Sequence, residues 1–114
     1  MRGLRLKSEK KNKYSAERAV VDNVKFDSRR EAHRYSELKL LLRANEIVDL
    51  KLHPVFAIVV KDKLICNVEL DFSYFDSRDK SYHHEDVKGR DNPMSKLKRR
   101  LVEVVYGIKV EIIK

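Results

Sequence analysis

The chain has 114 residues and a mass of 13.5 kDa, which is the size of one domain. Hydrophobic residues make up 42% of it and charged residues 39%, so the composition is too apolar for a chain that is disordered throughout. The single cysteine, Cys66, allows no internal disulfide, and the apolar run 55–60 is far too short to cross a bilayer. We therefore expect an intracellular, cytoplasmic protein with no membrane association.

The charge is strongly basic and unevenly distributed. The chain has 26 basic and 18 acidic residues, a net charge of +8. Residues 1–18 carry seven of the basic and two of the acidic side chains. This predicts a basic, flexible N-terminal arm over 1–18 and one folded domain over 19–114. In the arm, Lys10, Lys11 and Lys13 are candidate phosphate contacts, although a tail that only aids solubility has the same composition.

The first predicted element is an α-helix that begins after Asp27, the expected N-cap, and ends near Asn45. Residues at helical spacing form one stripe along it: Glu31, Tyr35, Leu38 and Leu42. Apolar alternation then predicts a half-buried strand over 48–52 that Pro54 interrupts, and the short apolar run 55–60, rich in β-branched residues, follows it. We expect one long strand over 64–74 and a returning strand over 81–88.

A second helix is predicted from Asn92 as N-cap, with Pro93 at its first position, to Gly107. Its expected buried stripe consists of Leu97, Leu101, Val104 and Val105. A final strand follows over 108–112. The order is αβββαβ, which predicts an α/β fold with a mixed sheet flanked by helices.

Three acidic side chains occupy positions where a core residue is expected. Glu31 lies on the apolar stripe of the first helix, Asp71 lies inside a strand, and Asp86 shares a strand face with Lys88. Buried acids are costly unless they are paired or bound to a cation. Three converging carboxylates suit Mg²⁺ or Mn²⁺, and Lys88 is placed to stabilise negative charge on a phosphate. Taken singly, the acids also suit a first-turn helix charge, an edge-strand charge and an exposed ion pair with Lys88.

The pattern of Asp71 followed by Asp86-Val87-Lys88 resembles the core of the PD-(D/E)xK nuclease superfamily. The resemblance implies that Asp71 and Asp86 bind metal and that Lys88 is catalytic. It implies further that Glu31 is the glutamate that many members contribute from their first helix. The αβββαβ order is similar to the restriction-endonuclease-like core of that superfamily. The superfamily's proline before the first Asp is replaced here by Leu70.

Longer segments resemble a family of small phage-encoded endonucleases. They are Lys25–Ala32, Leu38–Leu41, Glu85–Gly89 and Tyr106–Ile108. This likeness implies a nuclease of mobile-element origin that acts in the host-cell cytoplasm, with Holliday-junction resolution as the activity it suggests. Glu85 is an alternative to Asp86 as the metal ligand, but strand alternation favours Asp86 because it shares a face with Lys88.

The predicted function is a Mg²⁺-dependent endodeoxyribonuclease that prefers branched DNA such as a four-way junction, working as a homodimer. Two alternatives remain: a general DNA nickase and a non-catalytic nucleic-acid-binding module. The histidines lack the spacing of a zinc site. The DNA-binding residues expected outside the arm are Arg29, Arg30, Arg34, Lys96, Lys98, Arg99 and Arg100.

Overall fold

The structure is a computed structural model that describes residues 19–114. Its elements in chain order are β1 (Ala19–Val21), β2 (Val24–Phe26), α1 (Arg29–Arg43), β3 (Ile47–Leu52), β4 (Val55–Val60), β5 (Lys63–Glu69), β6 (Phe72–Asp76), β7 (Ser81–Val87), α2 (Pro93–Tyr106) and β8 (Val110–Ile113). The predicted basic arm over 1–18, with Lys10, Lys11 and Lys13, lies outside the described residues.

A four-stranded mixed sheet forms the centre of the fold, with the strand order β3-β6-β7-β8. The first two pairings are antiparallel, and β7 pairs with β8 in parallel through the connection that contains α2. Two further hairpins, β1-β2 and β4-β5, each form a two-stranded sheet. The α/β class with a mixed sheet and two helices is therefore confirmed, whereas the β1-β2 hairpin was not predicted.

Helix α1 begins one residue later than its sequence suggests. Ser28 is the N-cap: its backbone is extended, and its hydroxyl oxygen accepts the Glu31 N–H at 3.1 Å. The prediction of Asp27 as the cap was wrong, because the residue whose side chain reaches the N–H three positions ahead is Ser28. The predicted end is confirmed, since Asn45 takes the left-handed conformation, at φ 60°, directly after the helix.

The long strand predicted over 64–74 is two strands, and this is the main correction to the fold. It divides at Leu70 and Asp71, between β5 and β6. The Leu70 N–H donates to the Pro54 carbonyl, whereas the Asp71 N–H donates to the Glu85 carbonyl. The chain thus changes partners at this point, from its hairpin with β4 to the central sheet. Asp71 is placed where the two sheets separate.

The core has two parts. One joins α1, the β1-β2 hairpin and one face of the sheet, and its largest buried side chains include Phe26, Leu38 and Phe72. The other joins α2, β8 and the β4-β5 hairpin around Ile58 and Val102. Side chains on opposite faces of the sheet therefore belong to different clusters, as strand alternation requires.

Helix α2 has the predicted N-cap: the Asn92 side chain accepts the Ser95 N–H at 2.8 Å, and Pro93 follows it. Gly107 ends the helix at φ 68°, as predicted. The predicted buried stripe was wrong except at Leu101, which is half-buried against the core. The fully buried residue is Val102, while Leu97 and Val104 are 54% and 65% exposed. The helix packs on the sheet through a different side, and most of the apolar stripe faces solvent. Within residues 19–114, neither helix has the length and apolar character that crossing a membrane requires.

Candidate active site

Asp71 is the centre of the candidate site, and the break between β5 and β6 positions it. Its Oδ2 accepts the Val87 N–H at 2.6 Å, which fixes the carboxylate against β7. Burial and the neighbouring Glu31 carboxylate raise the pKa of Asp71 to about 8, and Asp86 adds to the effect. A nearby cation would stabilise the ionised form of this carboxyl group, which its surroundings otherwise disfavour.

Glu31 approaches Asp71 from α1. The side chain is buried, and its Oε2 has no hydrogen-bond partner among residues 19–114. Burial is the main cause that raises the pKa of Glu31, with Asp27 and Glu69 contributing repulsion, although a hydrogen bond to Asp71 opposes the shift. A buried carboxylate oxygen without a donor is costly, so this atom is suited to bind a cation.

His53 completes this cluster, although it was not among the predicted site residues. One ligand atom from each of Glu31, His53 and Asp71 lies within 4.8 Å of the others. The His53 backbone is left-handed, at φ 54°, and its N–H donates to the Asp71 carbonyl at 2.9 Å. Its Nε2 is 3.6 Å from Glu31 Oε2. In the sequence, the His-Pro pair indicates where the strand stops but not that His53 reaches Glu31.

Asp86 and Lys88 lie on the same side of β7 and meet Asp71 there. Asp86 is buried, its Oδ2 is 3.6 Å from Lys88 Nζ, and its side chain is close enough to Asp71 to form a hydrogen bond. Arg99 from α2 contacts the same Asp86 oxygen at 3.4 Å and also binds Asp91. Asp71 is therefore the shared member of two groups, one with Glu31 and His53 and the other with Asp86 and Lys88.

Glu85, the alternative ligand, faces the other way. It is fully buried on the α1 side of the sheet, where both of its oxygens accept from the Arg34 guanidinium at 2.8 and 2.6 Å. The Tyr74 hydroxyl also donates to it. This bidentate pair joins α1 to β7 and so fixes the helix that carries Glu31 against the strand that carries Asp86.

The predicted DNA-binding residues fall into two groups. Arg34 and Arg99 are largely buried and engaged by carboxylates, so their charges hold the framework together. The others are wholly or partly exposed: Arg29, Arg30, Lys96, Lys98 and Arg100. Arg30 lies against the loop after Lys88, since a Cβ added at Gly89 would be 3.0 Å from its Nε. A second group of possible ligands consists of Asp76, Asp79 and His83, in which Asp76 pairs with Arg78 and His83 contacts Glu111.

Comparison with known proteins assigns a family. The description "Protein of unknown function (DUF1064)" belongs to the family that matches residues 11–113. The chain is a member of this family. No curated protein and no solved structure matches it.

Proposed function

We propose that the protein is a Mg²⁺- or Mn²⁺-dependent endodeoxyribonuclease. The observation that carries the proposal is the convergence of Glu31 from α1, Asp71 from the break between β5 and β6, and Asp86 from β7. Lys88 lies beside Asp86. Acids that are merely surface charges have no reason to meet in a partly buried cluster, because each raises the cost of ionising the next. Such clusters are typical of functional sites.

The arrangement of the sheet also supports the proposal. With the two hairpins left aside, the order is α1, β3, β6, β7, α2, β8. This is the αβββαβ order of the PD-(D/E)xK superfamily that the motif resembles, and we propose the restriction-endonuclease-like core on that basis. In this interpretation the β4-β5 hairpin is an insertion between the first and second core strands.

The residues present fit a hard divalent cation. Carboxylate oxygens are the ligands that Mg²⁺ and Mn²⁺ prefer, and Glu31 Oε2, which accepts no hydrogen bond among residues 19–114, supplies one. Asp71 and Asp86 supply others, and His53 offers a nitrogen at the edge of the cluster. When bound, the cation supplies Lewis-acid stabilisation of the phosphate charge.

The roles of the remaining groups follow from their contacts. The Lys88 ammonium group is placed to stabilise negative charge that develops on the scissile phosphate. The Val87 N–H holds Asp71, and Arg99 holds Asp86, so both carboxylates keep their orientation before substrate arrives. Arg30 and Lys96 are placed to bind flanking phosphates, which fixes the register of the DNA without reading its sequence.

We propose that the substrate is branched DNA, such as a four-way junction. We propose the cytoplasm, where this DNA lies, as the compartment. A homodimer suits such a substrate, because two active sites then cut two strands. One side of α2 supports this assembly: Met94, Leu97 and Val104 are exposed, and with the half-buried Leu101 they follow the 3-4-3 spacing of a helix–helix seam. Lys98 and Arg100 border the stripe, so pairing of two copies should strengthen with salt, which screens their repulsion.

The test is cleavage of a four-way junction and of a linear duplex of matching sequence, in Mg²⁺, Mn²⁺ and EDTA. The proposal predicts cutting only with metal and faster cutting of the junction. Equal rates on both DNAs indicate the general nickase instead. Binding with steep salt dependence but no cleavage at any enzyme concentration indicates the non-catalytic binding module.

A further inference from the structure

A cleft lies on the face of the central sheet that is turned away from α1. Its volume is about 510 Å³, within the range of ligand-binding sites, which is roughly 300–1,000 Å³. Phe72 and Tyr74 of β6 pack toward α1, so Ser73 between them lines the cleft on the opposite face. Its other lining residues include Lys51, Phe56, Tyr82 and His84.

Aromatic rings form the walls of the cleft. Tyr82 is 63% exposed, and its ring packs against Phe75 with centroids 5.0 Å apart at 69°. His84 packs edge-on against Phe56 at 5.9 Å and 79°. An exposed tyrosine ring that is supported from one side can serve as a stacking platform, because its free face accepts any of the flat nucleobases.

Polar groups in the cleft are arranged for the edge of such a ligand. The Ser73 hydroxyl can donate or accept, and Lys51 is a donor beside the acceptor Asp49, 3.7 Å from it. The Nδ1 atom of His84 is buried, and it has no hydrogen-bond partner among residues 19–114. Donors and acceptors together with an aromatic wall match a nucleobase better than a purely apolar ligand.

The cleft is close to the candidate active site. His84 and Asp86 are two residues apart on β7 and share a face, which separates them by about 7 Å. We propose that the cleft binds an unpaired nucleobase of the DNA strand whose phosphate lies at Asp71 and Asp86. The inference rests on the proposed nuclease function. A paired base cannot enter, since its edge and both of its faces are occupied within the duplex.

The experiment measures binding in EDTA, so the DNA stays intact. Two duplexes are compared, one with a single unpaired 2-aminopurine and one with an abasic residue at the same position. The wild-type protein should bind the first about tenfold more tightly, the size expected of one base–aromatic stack. Its 2-aminopurine fluorescence should fall on binding, as stacking quenches it.

Variants assign the preference to the cleft. Tyr82→Ala should bind both duplexes equally and leave the fluorescence unquenched, whereas Tyr82→Phe should keep the preference. Leu40→Ala is the matched control, because Leu40 is 63% exposed on α1 at the other side of the sheet. Equal affinity of the wild-type protein for both duplexes overturns the inference without any variant, and so does a preference that survives in Tyr82→Ala.

The outcome is separable from that of the proposed function. A protein that prefers the unpaired base in EDTA but never cuts DNA with Mg²⁺ contradicts the proposed nuclease function and supports base binding in the cleft. A protein that cuts DNA with Mg²⁺ but shows no base preference supports the proposed nuclease function and overturns the proposal that the cleft binds a base.

Discussion

Asp71→Asn should stabilise the metal-free protein at alkaline pH, an unusual result for a substitution at a partly buried, hydrogen-bonded position. The reason is the raised pKa, about 8 against an ordinary value of 3.8, which burial and then Glu31 cause. Between these two values the folded protein holds a proton on Asp71 that the unfolded chain has lost. Stability therefore falls as the pH rises through this window.

The magnitude follows from proton linkage. Each pH unit well within the window costs about 1.4 kcal/mol of the free energy of unfolding. Because the carboxyl is already half ionised at pH 8, the loss between pH 6 and pH 8 is about 2 kcal/mol. For a domain of this size that corresponds to a fall in Tm of roughly 10 °C. Asparagine does not ionise, and its side-chain oxygen can still accept the Val87 N–H, so Asp71→Asn should lack this part of the pH dependence.

The assay is thermal unfolding in EDTA at pH 6, 7 and 8, with Asp62→Asn as the control. Asp62 lies in the exposed turn between β4 and β5, outside both acidic groups, so that variant should keep the wild-type pH dependence. Adding Mg²⁺ should raise the wild-type Tm more at pH 8 than at pH 6, since the ionised carboxylate is the form that binds metal. Parallel pH profiles for wild type and Asp71→Asn would refute the reasoning.

Three further predictions concern the framework, the lysine and the dimer. Glu85→Gln should destabilise the protein by about 2–3 kcal/mol in urea unfolding, because it leaves the Arg34 charge poorly compensated. Glu37 is the exposed partner of Arg34, so Glu37→Gln should cost less than about 1 kcal/mol. Similar losses for both variants would contradict the role of the buried pair. Lys88→Ala should lower the cleavage rate at least about 100-fold, while its DNA affinity in EDTA changes about twofold or less. Lys109 is exposed, and Lys109→Ala should leave the rate unchanged. Undiminished cleavage by Lys88→Ala would show that Lys88 is not catalytic. At 0.5 M salt, sedimentation should show a dimer for the wild type and a monomer for Leu97→Glu. A wild type that is monomeric at every salt and protein concentration tested would rule out the α2 seam.

Local chemistry made much of the fold predictable from the sequence. The cap at Asn92, the left-handed ends at Asn45 and Gly107 and the alternation along β7 each depend on residues close together in the chain. Alternation also separates the side of Asp86 from that of Glu85, and in the structure their contacts differ accordingly.

The parts that failed depend on distant partners. The break at Leu70 and Asp71 is set by the carbonyls of Pro54 and Glu85, which no local pattern reveals. The apolar stripe of α2 has ideal spacing for burial, yet spacing does not say which side of a helix the sheet covers. His53 was missed because it reaches Glu31 only through a backbone conformation that the sequence does not announce.

The most direct test of the central claim is four-way junction cleavage by the wild type, Asp71→Asn and Asp79→Asn, each with Mg²⁺ and with EDTA. We predict cleavage by the wild type and Asp79→Asn in Mg²⁺ alone, and none by Asp71→Asn in either condition. Cleavage by Asp71→Asn at the wild-type rate, or cleavage by the wild type in EDTA, would contradict the metal-dependent site.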